Sequence, residues 1–256
     1  MNLLKTILKL LGISKSYKSQ HKYFILTDER SGGTVFTNLF ETTGLKVIHD
    51  PQTKTKSRLP EFDGNTKSPE ILDYCYSKYD VVKCCLISFS SDQYKTLIDY
   101  CVNHDIKIII LYRDNFYRSL SKVIAAKLNH YNRWDKLSEE MKNFTYEIKE
   151  NELFETYTQN YIKYNSIVEY INNINTSVYY INFASFYDKN MGHKLFTYLG
   201  LNIMNSDQFK KFMNYDYGTK NKYNNILNID YLLSQKEDLS KTHSVETIKN
   251  KIKWHS

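Results

Sequence analysis

Residues 30–34 read Arg-Ser-Gly-Gly-Thr, and each residue type in that run has a use in holding an anion. The run follows a short apolar stretch, Lys-Tyr-Phe-Ile-Leu-Thr at 22–27, and precedes apolar residues at helical spacing. A strand that ends in a glycine-containing turn and opens a helix is a ready anion site. The first N–H groups of the helix lack internal partners, and the helix dipole favours negative charge there. Gly32 and Gly33 allow the backbone to approach phosphate oxygens closely, Ser31 and Thr34 add hydroxyl donors, and Arg30 adds a permanent charge with a forked set of donors. By itself the stretch serves equally well as a plain structural turn. No lysine follows a glycine in the chain, so the Walker A pattern is absent, and so is the G-x-G-x-x-G dinucleotide fingerprint.

A second pair of residues bears on the same chemistry. Arg113 closes the apolar run 106–112 (Ile-Lys-Ile-Ile-Ile-Leu-Tyr), and Ser121 lies eight residues further on. The C-terminal ends of strands are where α/β sheets bind ligands. An arginine at such an end and a hydroxyl two turns into the next helix are able to converge on one phosphate. A surface arginine and a helix-facing serine are the alternative reading.

The elements that must position these residues follow from the patterning. Strands are predicted over 22–27, 45–49, 79–88, 106–112 and 177–183, with 106–112, a continuous apolar run, in the middle of a parallel sheet. Helices are predicted over 34–42 with Gly44 as its cap, and over 69–78, 91–104, 115–129, 152–174 and 191–200. Leu153, Tyr157, Tyr161, Tyr164, Val168 and Ile171 form the apolar stripe of the longest helix, a core face rather than a base-stacking platform. Strand and helix alternate throughout, which implies a three-layer α/β/α architecture with a central, mainly parallel sheet. All three prolines fall between 51 and 69, a long polar loop.

Length and composition set the outer bounds. The 256 residues, 41% of them hydrophobic, suit one α/β domain, placed at 21–232, with a charged tail at 233–256. A net charge of +7 spread along the chain suits a compact anionic ligand and does not require nucleic acid. Cys75, Cys84, Cys85 and Cys101 form no C-x-x-C pair and no zinc spacing, so no metal is expected, and reduced thiols point to a cytoplasmic protein. Residues 1–20 carry an apolar run broken by Lys5 and Lys9, far below the roughly 20 residues needed to span a bilayer. They read as an amphipathic helix packed on the domain, with weak membrane-surface contact as the other reading.

Taken together, Arg30–Thr34 and the Arg113…Ser121 pair resemble the two donor-binding motifs of sulfotransferases that use 3′-phosphoadenosine-5′-phosphosulfate (PAPS). Residues 179–201 and 220–232, with Asn-Arg-Trp at 132–134, are similar to segments of bacterial carbohydrate sulfotransferases acting on trehalose and lipopolysaccharide. The resemblance covers most of 22–232 and implies a P-loop-like sulfotransferase fold. It implies that Arg30, Ser31, Gly32, Gly33 and Thr34 hold the 5′-phosphosulfate and that Arg113 and Ser121 hold the 3′-phosphate, with Arg30 also the main electrostatic catalyst. The family's Lys-Thr-His pattern is matched by Lys83-Cys84-Cys85, which keeps the lysine and lacks the histidine. Lys83 is thus a candidate contact to the sulfuryl group, or an ordinary strand-end lysine. Bacterial carbohydrate members carry a carboxylate soon after the first helix, which makes His49 and Asp50 the candidate bases, ahead of Glu29 and Glu41. Trp134 is a candidate for stacking on adenine, with a core role as its alternative. The acceptor implied is a carbohydrate or other small molecule with a hydroxyl. Two rival readings remain: a P-loop nucleotide kinase or NTPase, and a non-catalytic nucleotide-binding module on the same fold.

Overall fold

A computed structural model describes residues 22–51, 70–86, 89–128, 138–174, 176, 178–188, 191–213, 225–237 and 239. The expected helix at 1–20, nearly all of the 51–69 loop, Trp134 and most of the 233–256 tail lie outside the described residues. Five strands form the sheet: β1 (Tyr23–Thr27), β2 (Val47–His49), β3 (Val81–Cys85), β4 (Lys107–Tyr112) and β5 (Val178–Asn182). The helices are α1 (Gly33–Glu41), α2 (Glu70–Lys78), α3 (Ser91–Asn103), α4 (Asn115–Lys127), α5 (Glu139–Asn143), α6 (Glu150–Asn173), α7 (Phe183–Asp188), α8 (Gly192–Tyr198), α9 (Ser206–Met213) and α10 (Ile229–Ser234).

The strand order is β2-β3-β1-β4-β5, and all four pairings are parallel. The centre of the sheet is therefore β1. The 106–112 run supplies β4, interior but one place from the edge, which corrects its expected central position. Its continuous apolar character reflects burial on both faces, which any interior strand of a parallel sheet shares. Alternate residues divide between two cores. Phe24, Leu26, Val82, Ile108 and Ile110 face Leu72, Cys75, Leu97 and Ile98 of α2 and α3 and Ile167 and Ile171 of α6. Tyr23, Ile25, Val81, Ile109 and Leu111 face Phe36 and Phe40 of α1, Phe186 of α7 and Phe196 of α8. A third cluster joins Phe116, Leu120 and Ile124 of α4 to Leu153 and Tyr157 of α6 and Leu232 of α10.

The three layers are those expected, and most boundaries agree within two residues. β5 stops at Asn182 because α7 starts at Phe183 without an intervening loop, so the final residue of the expected strand opens a helix. In the α6 stripe Leu153, Tyr157, Val168 and Ile171 are buried, as are Asn160 and Ile167 beside them. Cys75, Cys84 and Cys101 are in no disulfide and are buried among the α2, α3 and β3 side chains, and burial pushes the Cys75 thiol up to about 12. Among the described residues no helix is long and apolar enough to cross a membrane.

Candidate functional site

The loop after β1 is built around backbone that few side chains tolerate. Arg30 has φ 61° and Gly32 has φ 72°, both in the left-handed region. A Cβ on Gly32 would lie 1.9 Å from the Cε2 atom of the Phe183 ring, and one on Gly33 would lie 2.5 Å from Thr27 Oγ1. Phe183 opens α7 directly after β5, so a strand two places away in the sheet sets how closely this loop folds. Only glycine meets both demands at residue 32, a positive φ and no side chain.

The same loop leaves donors uncommitted. Gly32 caps α1 and no side chain caps that helix. Ser31 is 1% exposed, and among the described residues its Oγ has no hydrogen-bond partner. By contrast, Asp114 caps α4 by accepting from the N–H groups of Phe116 (3.0 Å) and Tyr117 (3.3 Å). α3 is capped as well, Ser90 and Gln93 forming a reciprocal capping box. A helix start with no side-chain cap beside an orphaned buried hydroxyl is suited to an external acceptor such as a phosphate oxygen.

Arg113 joins the two sequence motifs. Its Nη1 donates to the carbonyl oxygen of Arg30 at 3.1 Å and to Ser121 Oγ at 3.4 Å. Residues far apart in the chain thus meet at the C-terminal edge of β1 and β4, which pair side by side.

Beneath this junction lies an ion pair that sequence reasoning missed. Arg118 Nη1 donates to Asp28 Oδ2, with the two side chains 4% and 6% exposed. The other Arg118 nitrogen, Nη2, donates to Asn115 Oδ1 at 2.9 Å. Asp28 Oδ1 accepts from the Glu29 N–H at 2.7 Å, and the Asp28 carbonyl accepts from the Ser31 N–H at 3.3 Å. Asp28 therefore ties the β1 loop to α4. One signal was available: Arg118 lies three residues before Ser121 on the same helix, and a charge on a buried helical stripe needs a partner. Lys122, one residue beyond Ser121, stands 3.7 Å from Glu29.

The other candidate residues gather on the other side of β1, on β3 and at the end of β2 beyond it. His49 and Lys83 are register partners on β2 and β3, and Cys85 is opposite Thr27 of β1. Asp50 has φ 45°. Its Oδ2 accepts from Lys83 Nζ at 2.6 Å, its Oδ1 from the Cys85 N–H at 2.9 Å, and its own N–H donates to the Lys83 carbonyl at 2.7 Å. Lys83 is 5% exposed, so it is a buried, paired cation and not an ordinary strand-end lysine at the surface. His49 Nε2 lies 2.8 Å from Asn38 Oδ1 on α1. The contact holds the imidazole against α1, and the Nδ1 atom is buried. Asn38 is one helical turn beyond Thr34, which places His49 against the same helix that the Arg30–Thr34 turn opens. Glu41 is exposed at the far end of α1, away from this edge, and Glu29 is half-buried beside Lys122.

No family model matches the chain, and no curated protein matches it in sequence. Among solved structures, that of the mouse sulfotransferase SULT7A1 complexed with PAP is similar to it. The identity is 11%, the match covers 92% of this chain and 89% of that one, and the TM-score is 0.46.

Proposed function

We propose that the protein is a sulfotransferase that moves the sulfuryl group of PAPS to a hydroxyl of a carbohydrate or glycolipid acceptor. The observation that carries this reading is the Arg113 side chain, which bonds the backbone of the Arg30 loop and the Ser121 hydroxyl together. A bisphosphorylated adenosine needs two anion pockets one nucleotide apart, and this contact draws the two motifs into one site. The site also fits a phosphate oxygen at Ser31 Oγ and the uncapped start of α1.

PAPS supplies an activated sulfuryl group. Transfer of such a group is loose and in line, in the manner of phosphoryl transfer, so the protein's contribution is positioning and charge neutralisation. The acceptor oxygen forms the new S–O bond, the bond from sulfur to the 5′-phosphate oxygen breaks, and the acceptor proton leaves. Arg30, Ser31, Gly32, Gly33 and Thr34 hold the 5′ end, and Arg30 neutralises the charge that grows on the leaving phosphate oxygen. Arg113 and Ser121 hold the 3′-phosphate, which distinguishes the donor from ATP. His49 and Asp50 are the candidate bases for the acceptor proton, with Asn38 holding the His49 ring. Asp50 and Lys83 hold the β2–β3 end in shape around it.

The test compares thermal shifts with 3′,5′-ADP and with ATP plus Mg²⁺, followed by transfer of ³⁵S-labelled sulfuryl from PAPS to a panel of sugars. Stabilisation by 3′,5′-ADP together with label on a sugar supports the proposal. A shift with ATP and Mg²⁺ alone overturns it in favour of a kinase. Binding of 3′,5′-ADP without transfer to any sugar overturns the enzymatic part and leaves a nucleotide-binding module.

A further inference from the structure

We infer that Lys163 is a third cation of this site, receiving a sulfate-like oxyanion over the C-terminal ends of β1 and β3. The inference rests on the proposed function for the source of that anion, the sulfuryl group of the donor.

Lys163 occupies the inward stripe of α6. Asn160, one turn before it, is buried and donates to Ser119 Oγ at 2.9 Å, and Ile167, one turn after it, is fully buried. Its height along the sheet follows from simple geometry. α6 ends at Asn173, before β5 begins, so that end lies near the N-terminal edge of the sheet. The rise from residue 173 back to 163 is about 15 Å, close to the ~17 Å length of a five-residue strand. Tyr164 marks the level independently. Its ring is 6.3 Å from that of Tyr112, the last residue of β4, and 5.9 Å from the Arg118 guanidinium. Lys163 is the next residue to Tyr164 on that turn, and the charges of Asp28, Cys85 and Glu29 bear on its own.

The carboxylates within reach are committed elsewhere. Asp28 is held by Arg118, and Glu29 stands against Lys122. Cys85 is in no disulfide. Among the described residues the Lys163 ammonium makes no hydrogen bond or ion pair, yet it is half-buried beside the anion loop. Burial lowers its pKa from the ordinary lysine value, with Asp28, Cys85 and Glu29 opposing that shift and Lys122 adding to it. A half-buried, unpaired cation is unfavourable unless an incoming anion completes it.

The experiment uses the full chain as wild type and K163M, which keeps the aliphatic stem. First, Lys163 acylation at fixed pH is followed by mass spectrometry with and without inorganic sulfate and no nucleotide. Protection by sulfate at matched ionic strength, with sodium chloride as control, is expected, and its absence overturns the inference. Second, PAPS and 3′,5′-ADP affinities are compared. K163M is expected to weaken PAPS about tenfold while changing 3′,5′-ADP less than about twofold. Sulfate protection with an unchanged PAPS to 3′,5′-ADP ratio overturns the assignment of that anion to the donor's sulfuryl group. A substantial fall in the melting temperature of K163M marks a structural lysine and overturns the inference. If 3′,5′-ADP fails to bind wild type, the sulfotransferase reading fails, and sulfate protection still decides Lys163.

Discussion

The turns after β1 and after β2 have similar designs and different depths. Each follows a parallel strand, each contains a non-glycine residue with positive φ, and each carries an aspartate paired with a cation from another element. After β1 the pair is Asp28 with Arg118, with both side chains almost wholly buried. After β2 it is Asp50 with Lys83, and a quarter of the Asp50 side chain reaches solvent. A buried pair stands on a steep energy slope, because removing one partner strands the other in low dielectric, whereas water relieves a partly exposed one. The β1 turn is therefore the more deeply anchored of the two.

The most severe test of that contrast is Arg118→Met. It leaves Asp28 buried and unpaired and is expected to lower stability by about 3–5 kcal/mol in urea unfolding. The double variant D28N/R118M should recover much of that loss. A loss below 1 kcal/mol for the single variant would place Asp28 in contact with solvent and remove the distinction.

Arg30→Ala comes next. Neutralisation of the leaving oxygen predicts a fall in turnover of about 10²–10³, with a smaller change in 3′,5′-ADP affinity and little change in melting temperature. Equal losses in turnover and nucleotide affinity would make Arg30 a binding residue only.

Lys83→Met probes the shallower pair. Asp50 keeps the Cys85 N–H and some solvent, so the expected loss is about 1–2 kcal/mol, well short of that for Arg118→Met. Matched losses in the two variants would show that depth does not separate the turns. The smallest effect belongs to Ser121→Ala. It removes one neutral hydroxyl and should weaken 3′,5′-ADP binding by about 0.5–1.5 kcal/mol, read by calorimetry, with ATP binding unaffected.

Much of the architecture was legible because burial writes itself into the order of residues. The apolar runs at β1 and β4 and the 3–4 spacing in α1 and α6 mark strands and helices regardless of what they pack against. The place of β4 in the sheet was not legible, since an interior strand has the same composition wherever it lies between two others. α7 was hidden because Phe183 suits a strand end and a helix start alike. In the candidate site, Arg113 with Ser121 was readable as an arginine at the end of one strand and a hydroxyl two turns into the next helix, and the glycines of the loop from their type. Asp28 with Arg118 was not, because a paired buried charge and a solvated surface charge are the same letter.

Local order alone determined that this chain alternates strands with helices and places a glycine-containing turn between β1 and α1, since residue type and period act within a few neighbouring residues. Tertiary structure decided that Phe183 presses against Gly32, that Arg113 bonds the Arg30 carbonyl, and that His49, Asp50 and Lys83 meet at one edge. Those contacts depend on parallel strands from distant segments lying side by side, and pairing across a crossover leaves no mark in the spacing of either strand.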